Sequence, residues 1–133
     1  ECLAQNLYIS PPTLSQHGAA RAFDCGDILD GHVARYAANR EILLDALPRA
    51  GFRRIAPADG AFYLYAEVAA EDPDSDTLSR WLLEETDVAI TPGIDFDPGR
   101  GHRYVRFSYA GETAEMREAA ARLIDWRERH NRV

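Results

Sequence analysis

Apolar and polar positions alternate with two different periods along this chain. Between Ile28 and Ala50, the residues Leu29, Val33, Tyr36, Arg40, Leu43, Leu44 and Leu47 recur at intervals of three and four. That spacing places them on one face of a helix of 3.6 residues per turn. Gly51 follows as a suitable terminator and Pro48 weakens the last turn. Ala61 to Val68 and Arg103 to Ala110 alternate with period two, as half-buried strands do. Val105, Phe107 and Tyr109 share one strand face; Tyr104, Arg106 and Ser108 share the other.

The remaining elements are shorter. Pro11 and Pro12 force an extended approach to a helix capped by Thr13 or Ser15 and running to about Phe23. Residues 24–27 break the chain before the long helix. Phe52 to Ala56 and Val88 to Thr91 read as brief strands. Asp76 is placed to cap a helix from Thr77 to Thr86, with Leu78, Trp81, Leu82 and Leu83 inward. Thr113 opens a terminal helix whose stripe is Ala119, Leu123, Ile124 and Trp126, and the charged tail from Arg127 is expected to fray. Thr113 and Met116 lack the acid of a full capping box, although Glu115 suits the helix N-terminus. The expected fold is α+β: a small, mostly antiparallel sheet with helices on one side, preceded by a long helix.

Composition narrows the function classes. A net charge of −7 argues against nonspecific nucleic-acid or anionic-membrane binding. No apolar run approaches a membrane span, and Glu1-Cys-Leu-Ala-Gln-Asn6 has no secretory pattern, so a cytoplasmic location is expected. Cys2 and Cys25 are expected as two free, buried or half-buried thiols. His17, His32, His102 and His130 are scattered without ligand spacing, so no metal site is expected. All fifteen residues counted as Lys plus Arg are Arg; the chain holds no lysine.

Three segments carry the candidate chemistry. Tyr104-Val-Arg-Phe-Ser-Tyr-Ala110 follows the loop Thr91-Pro-Gly-Ile-Asp-Phe96, and Gly60-Ala-Phe-Tyr63 leads into the earlier strand. Asn6-Leu-Tyr-Ile-Ser-Pro-Pro-Thr-Leu-Ser-Gln16 opens the chain. By pattern alone Arg106 is a solvated residue on a strand face, Phe62 a core residue, Gly93 an ordinary turn glycine, and Asp95 and Asp97 exposed loop acids. Together these segments resemble the C-terminal part of class I/II aminotransferases, fold-type I enzymes that use pyridoxal phosphate (PLP). The likeness covers essentially the whole chain.

The resemblance implies specific roles. Arg106 would grip the substrate α-carboxylate, for which a planar, always-charged guanidinium is suited. Phe62 would lie near the substrate side chain and Gly93 would approach the substrate. Tyr8 and Ser10 would reach the cofactor of a neighbouring subunit in a homodimer, and Gln16 would orient the start of its helix. Residues 1–27 would be an interface arm and short helix on the large-domain side; residues 28–133 would be the small domain. The implied reaction moves an amino group between an amino acid and a 2-oxo acid. PLP chemistry needs a lysine amine, so the chain alone is expected to be inactive and its partner is a missing N-terminal large domain. A fold-type I lyase or decarboxylase, an aminotransferase-like sensor domain of a transcription regulator, and a lysine-less relic remain open.

Overall fold

A computed structural model describes residues 2–7 and 9–131. Five α-helices occur among them: α1 (Cys2–Leu7), α2 (Thr13–Ala22), α3 (Gly26–Arg49), α4 (Ser75–Thr86) and α5 (Thr113–His130). Three strands, β1 (Tyr63–Glu67), β2 (Thr91–Pro92) and β3 (Tyr104–Ser108), form an antiparallel sheet in the order β1-β3-β2. Short 3-10 turns at Gly93–Asp95 and Gly101–Arg103 frame the loop before β3. No described helix is long and apolar enough to cross a membrane. The chain divides into two compact units, Glu1–Ala34 and Arg35–Val133.

The second unit holds the core. Leu64 and Ala66 of β1 and Val105 and Phe107 of β3 are buried on one sheet face with Leu43 and Leu47 of α3, Leu78 and Leu82 of α4, and Leu123 and Trp126 of α5. Helices therefore cover one side of the sheet, which is the expected α+β arrangement. The opposite face, with Tyr63, Tyr65, Tyr104 and Arg106, is left half-exposed or open.

Local chemistry fixes the element ends, in several places differently from the sequence expectation. The α3 terminus closes with Phe52 N–H donating to Leu47 O at 2.9 Å and Gly51 N–H to Pro48 O at 3.3 Å, with Gly51 at φ +98°. This paired closure needs a left-handed residue, which glycine supplies at little cost. Helix α4 is capped by Asp74 rather than Asp76; its carboxylate accepts from Asp76 N at 3.1 Å and Thr77 N at 3.0 Å. Helix α5 does have a capping box, formed by Glu112 and Glu115 one residue earlier than Thr113 would set it. The segment 52–56 makes only the single bridge Ile55↔Ala66, and 88–90 forms no strand, because β2 contributes only Thr91 and Pro92 to the edge. Proline lacks the N–H that would extend the ladder.

Burial also departs from the pattern. Trp81 and Leu83 are exposed, whereas Ser75 and Ser79 of α4 are buried. Serine hydroxyls fit there because Ser75 Oγ donates to Gly101 O and Ser79 Oγ to Ser75 O. The α5 stripe is Ala120, Leu123, Trp126 and Arg127. Arg127 does not fray: its guanidinium is buried, donates from Nε to Ala50 O at 3.1 Å and from both Nη atoms to the two oxygens of Asp72. A fork matched to two carboxylate oxygens makes burial of this charge tolerable.

The first unit buries none of its described residues, Leu29 and Val33 of α3 included. Cys2 and Cys25 are accordingly exposed thiols, not half-buried ones. Gln16 Nε2 donates to Pro11 O at 2.8 Å and so steadies the start of α2, whose N-cap Pro12 offers no side-chain bond.

Candidate functional site

Arg106 is set in place by three strands. In the ladder it faces Tyr65 on one side and Thr91 on the other. Because β1 alternates, Tyr63 lies on the same face one diagonal step away. The guanidinium carbon sits over the Tyr63 ring at 5.3 Å and over the Phe96 ring at 4.5 Å. Nη2 donates to Thr91 Oγ1 at 3.4 Å. No carboxylate among the described residues forms an ion pair with Arg106.

An open pocket of about 450 Å3 lies beside it. One wall is the turn Ala56–Ala61; the other is Tyr63, Tyr65, Arg106, Phe96 and Asp97. Ala61 adopts φ +61°, a left-handed conformation that costs a non-glycine residue about 1 kcal/mol. The Asp97 carboxylate is held below the usual range by the backbone N–H groups of Arg100 and Gly99, which it accepts at 3.1 and 2.9 Å. It therefore stays ionised and serves the loop. Burial, then the negative charge of Asp97, pushes the Tyr65 phenol upward, so this hydroxyl keeps its proton. The Tyr65 ring stacks on Tyr104 with centroids 5.0 Å apart.

The loop carrying Phe96 depends on two glycines. A Cβ at Gly93 would come within 2.6 Å of Gly101 O and Tyr104 O and 2.7 Å of Tyr65 Oη, and one at Gly101 would collide with the Gly93 backbone. Phe96 N and Asp97 N both donate to Gly93 O at 3.0 Å.

The site residues expected from sequence divide as follows. Arg106 lies at the pocket. Phe62 is exposed, not in the core; its carbonyl accepts from Tyr109 N at 2.8 Å and its ring meets Tyr63 edge-on at 5.8 Å. Gly93 is buried in the loop, where packing already requires glycine. Ser10 is exposed within the first unit. Tyr8 lies outside the described residues. Sequence reasoning assigned no role to Phe96 or Tyr63, although both stood in the quoted motifs; the missing signal was strand register. It also missed Asn39, a buried helix residue whose Nδ2 donates to Tyr109 O at 3.0 Å and Gly111 O at 2.9 Å, pinning the exit of β3.

A separate pocket of about 290 Å3 lies between residues 87–90 and α5. Its lining cation, Arg122, is committed to Glu118 at 2.5 Å and Thr86 O at 2.9 Å. No cluster of three or more His, Cys, Asp or Glu residues suited to a metal occurs among the described residues.

Comparison with known proteins identifies the family. The family model described as aminotransferase class I and II matches residues 3–123. The chain belongs to the class I and II aminotransferases. Valine–pyruvate aminotransferase of Mycobacterium tuberculosis is 48% identical over 128 residues, covering 95% of this chain and 33% of that protein. The (5-formylfuran-3-yl)methyl phosphate transaminase of Methanocaldococcus jannaschii is 32% identical over 126 residues, covering 93% and 33%. A crystal structure of an aminotransferase from Mycobacterium tuberculosis superposes with TM-score 0.86 and 47% identity, over 96% of this chain and 34% of that one. The chain thus spans about a third of the length of these aminotransferases.

PLP is the cofactor of this family, and it is held through an imine to a lysine amine. With no lysine in its sequence, this aminotransferase chain does not supply that anchor.

Proposed function

We propose that these 133 residues are the small domain, with its adjoining arm, of a PLP-dependent aminotransferase that moves an amino group between an amino acid and a 2-oxo acid. The observation that carries this reading is Arg106: a half-buried guanidinium, free of any described acidic partner, at the edge of a pocket sized for a small substrate. Its task is to bind the α-carboxylate and fix the orientation of the amino acid. Orientation of a reacting group contributes several kcal/mol of barrier lowering. Phe62 stands near the substrate side chain in this reading. The lysine and the cofactor pocket belong to sequence outside these residues. The bare apolar surface of the first unit, Leu3, Leu7, Ile9, Leu14 and Phe23, then packs on that large domain or on a second subunit, where Tyr8 and Ser10 approach the neighbouring cofactor. Location in the cytoplasm fits this role.

L-Valine and pyruvate are the first substrates to test, since a relative bears their names. The full-length protein, supplied with PLP, is expected to form alanine and 3-methyl-2-oxobutanoate in equal amounts. A panel of other donors extends the test. Release of ammonia or carbon dioxide without amino transfer supports a lyase or decarboxylase instead, and absence of any turnover supports a sensor domain.

A further inference from the structure

We propose that Phe96, assisted by Tyr63, is a positioning residue that holds the Arg106 guanidinium ready for a carboxylate without occupying its hydrogen-bond donors. The proposal rests on the carboxylate-binding reading of Arg106 and adds the device that makes that reading work.

Several arginines of the second unit are held by acids or carbonyls, with Arg127 also over the Trp126 ring. Arg127 is forked onto Asp72, Arg122 pairs through one Nη with Glu118, and Arg54 lies 3.0 Å from Glu67. Arg103 donates to the carbonyls of Val68 and Ala69 at 2.9 and 3.1 Å. Each of those contacts consumes N–H donors, and the carboxylates also cancel charge. Arg106 has the aromatic faces of Phe96 and Tyr63 and one long bond to Thr91 Oγ1. An aromatic face attracts a cation through its quadrupole but carries no net charge. It restrains the side chain while leaving the positive charge and most of the five N–H donors for an incoming anion.

The ring that does this is itself fixed. Phe96 lies directly after the 3-10 turn that Gly93 starts, and its N–H is bonded to Gly93 O. The Gly93–Gly101 backbone contact permits no side chain between the two segments. Asp97, the next residue, ties the loop through Gly99 N and Arg100 N. The Phe96 backbone is therefore fixed, and its ring, 53% accessible, stands against the Arg106 cation. Burial in the core does not explain an aromatic there; the contact with Arg106 does.

The test uses the full-length protein with PLP and 3-methylbutanoate, a carboxylate without an amino group, as a competitive inhibitor of L-valine. Phe96→Leu keeps apolar bulk but removes the aromatic face; Phe96→Tyr keeps both. Phe96→Leu is expected to weaken 3-methylbutanoate roughly three- to thirty-fold, the size of a lost cation–π contact. Phe96→Tyr is expected to stay within about twofold of the parent. In an Arg106→Ala background, Phe96→Leu is expected to add nothing further. Equal binding by the Leu and Tyr variants overturns the proposal and leaves the carboxylate reading intact. A loss that persists in the Arg106→Ala background also overturns it, because the ring then acts on the ligand directly. Unchanged binding in Arg106→Ala alone removes the carboxylate reading itself, and this proposal with it.

Discussion

Tyr65 stands directly opposite Arg106 in the ladder between β1 and β3, and Thr91 stands opposite it on the other side. The arginine is thus in the central strand of its sheet, flanked on both sides. A side chain so framed is placed by backbone register, and neighbouring arginines are not equivalent to it.

Substitutions should separate these arginines. Arg106→Ala in the full-length protein is expected to lower kcat/KM for the amino-acid half-reaction by an amount equivalent to about 2–5 kcal/mol, since a desolvated carboxylate loses its partner. Arg106→Lys should recover only part, because an ammonium lacks the planar fork. Arg100→Ala should change little: Arg100 is exposed and sits 3.5 Å from Asp97, and such surface pairs contribute about 0–1 kcal/mol. Arg103→Ala should lower the melting temperature through its lost carbonyl bonds while leaving kcat/KM nearly intact. Stopped-flow rates and thermal melts distinguish the three positions.

Acid sensitivity should trace in part to Asp74. Its carboxyl is held below the usual value, chiefly by the Thr77 backbone N–H. A depressed folded-state pKa means stability that is present above the unfolded value, roughly pH 4, and lost as pH falls through the folded one. Asp74→Ala is expected to cost about 1 kcal/mol at pH 7, the usual effect of deleting a helix N-cap. The gap between parent and variant should narrow below about pH 4. Denaturant titrations at pH 7 and pH 3 measure it; a gap that is constant with pH contradicts the assignment.

The Arg127–Asp72 pair should be among the most sensitive positions. Both side chains are buried, at 6% and 8% exposure. Asp72→Ala leaves a buried guanidinium without its counterion, and breaking such pairs costs about 3–5 kcal/mol. Gly51→Ala should also destabilise, because its φ of +98° disfavours a side chain and the new Cβ would strike the Arg127 guanidinium. Urea unfolding reads both. A change below about 1 kcal/mol in Asp72→Ala would show that the pair is solvated.

The 133-residue chain by itself should associate. Leu14 and Phe23 are 85% and 89% exposed and no described residue of the first unit is buried, and exposed apolar surface of this kind promotes self-association. Light scattering over a concentration series checks this. Leu14→Ser together with Phe23→Ser should shift the population toward monomer.

The sequence was legible where one signal dominated. The three-four spacing around Leu43 and Leu47 marked α3, and the alternation of Val105, Phe107 and Tyr109 marked the buried face of β3. It was less legible where neighbours compete. Leu29 and Val33 share the α3 stripe with Leu43, yet they stay 49% and 64% exposed. Asp74 and Asp76 are both acceptable caps, and only backbone geometry chooses between them. Arg127 looked like a frayed tail because its partner, Asp72, lies 55 residues earlier. Arg106 was found by motif, whereas Phe96 required knowing that its loop folds back across β3.

The Gly93–Gly101 contact has a consequence for how this pocket can diverge. Backbone lies against backbone there, so the loop bearing Phe96 has little tolerance for drift. The turn 56–61 has room for side chains: the space around Gly60 is empty to 4 Å, and Ala56, Ala58 and Ala61 present small side chains. Adding bulk at Gly60 would narrow the cavity without reaching the arginine's supports. If Arg106 holds the substrate carboxylate, anchorage and the space beside it fall to different walls of this pocket. On that reading, residues 56–61 could be rewritten to reshape the cavity while the wall bearing Arg106 and Phe96 remains untouched.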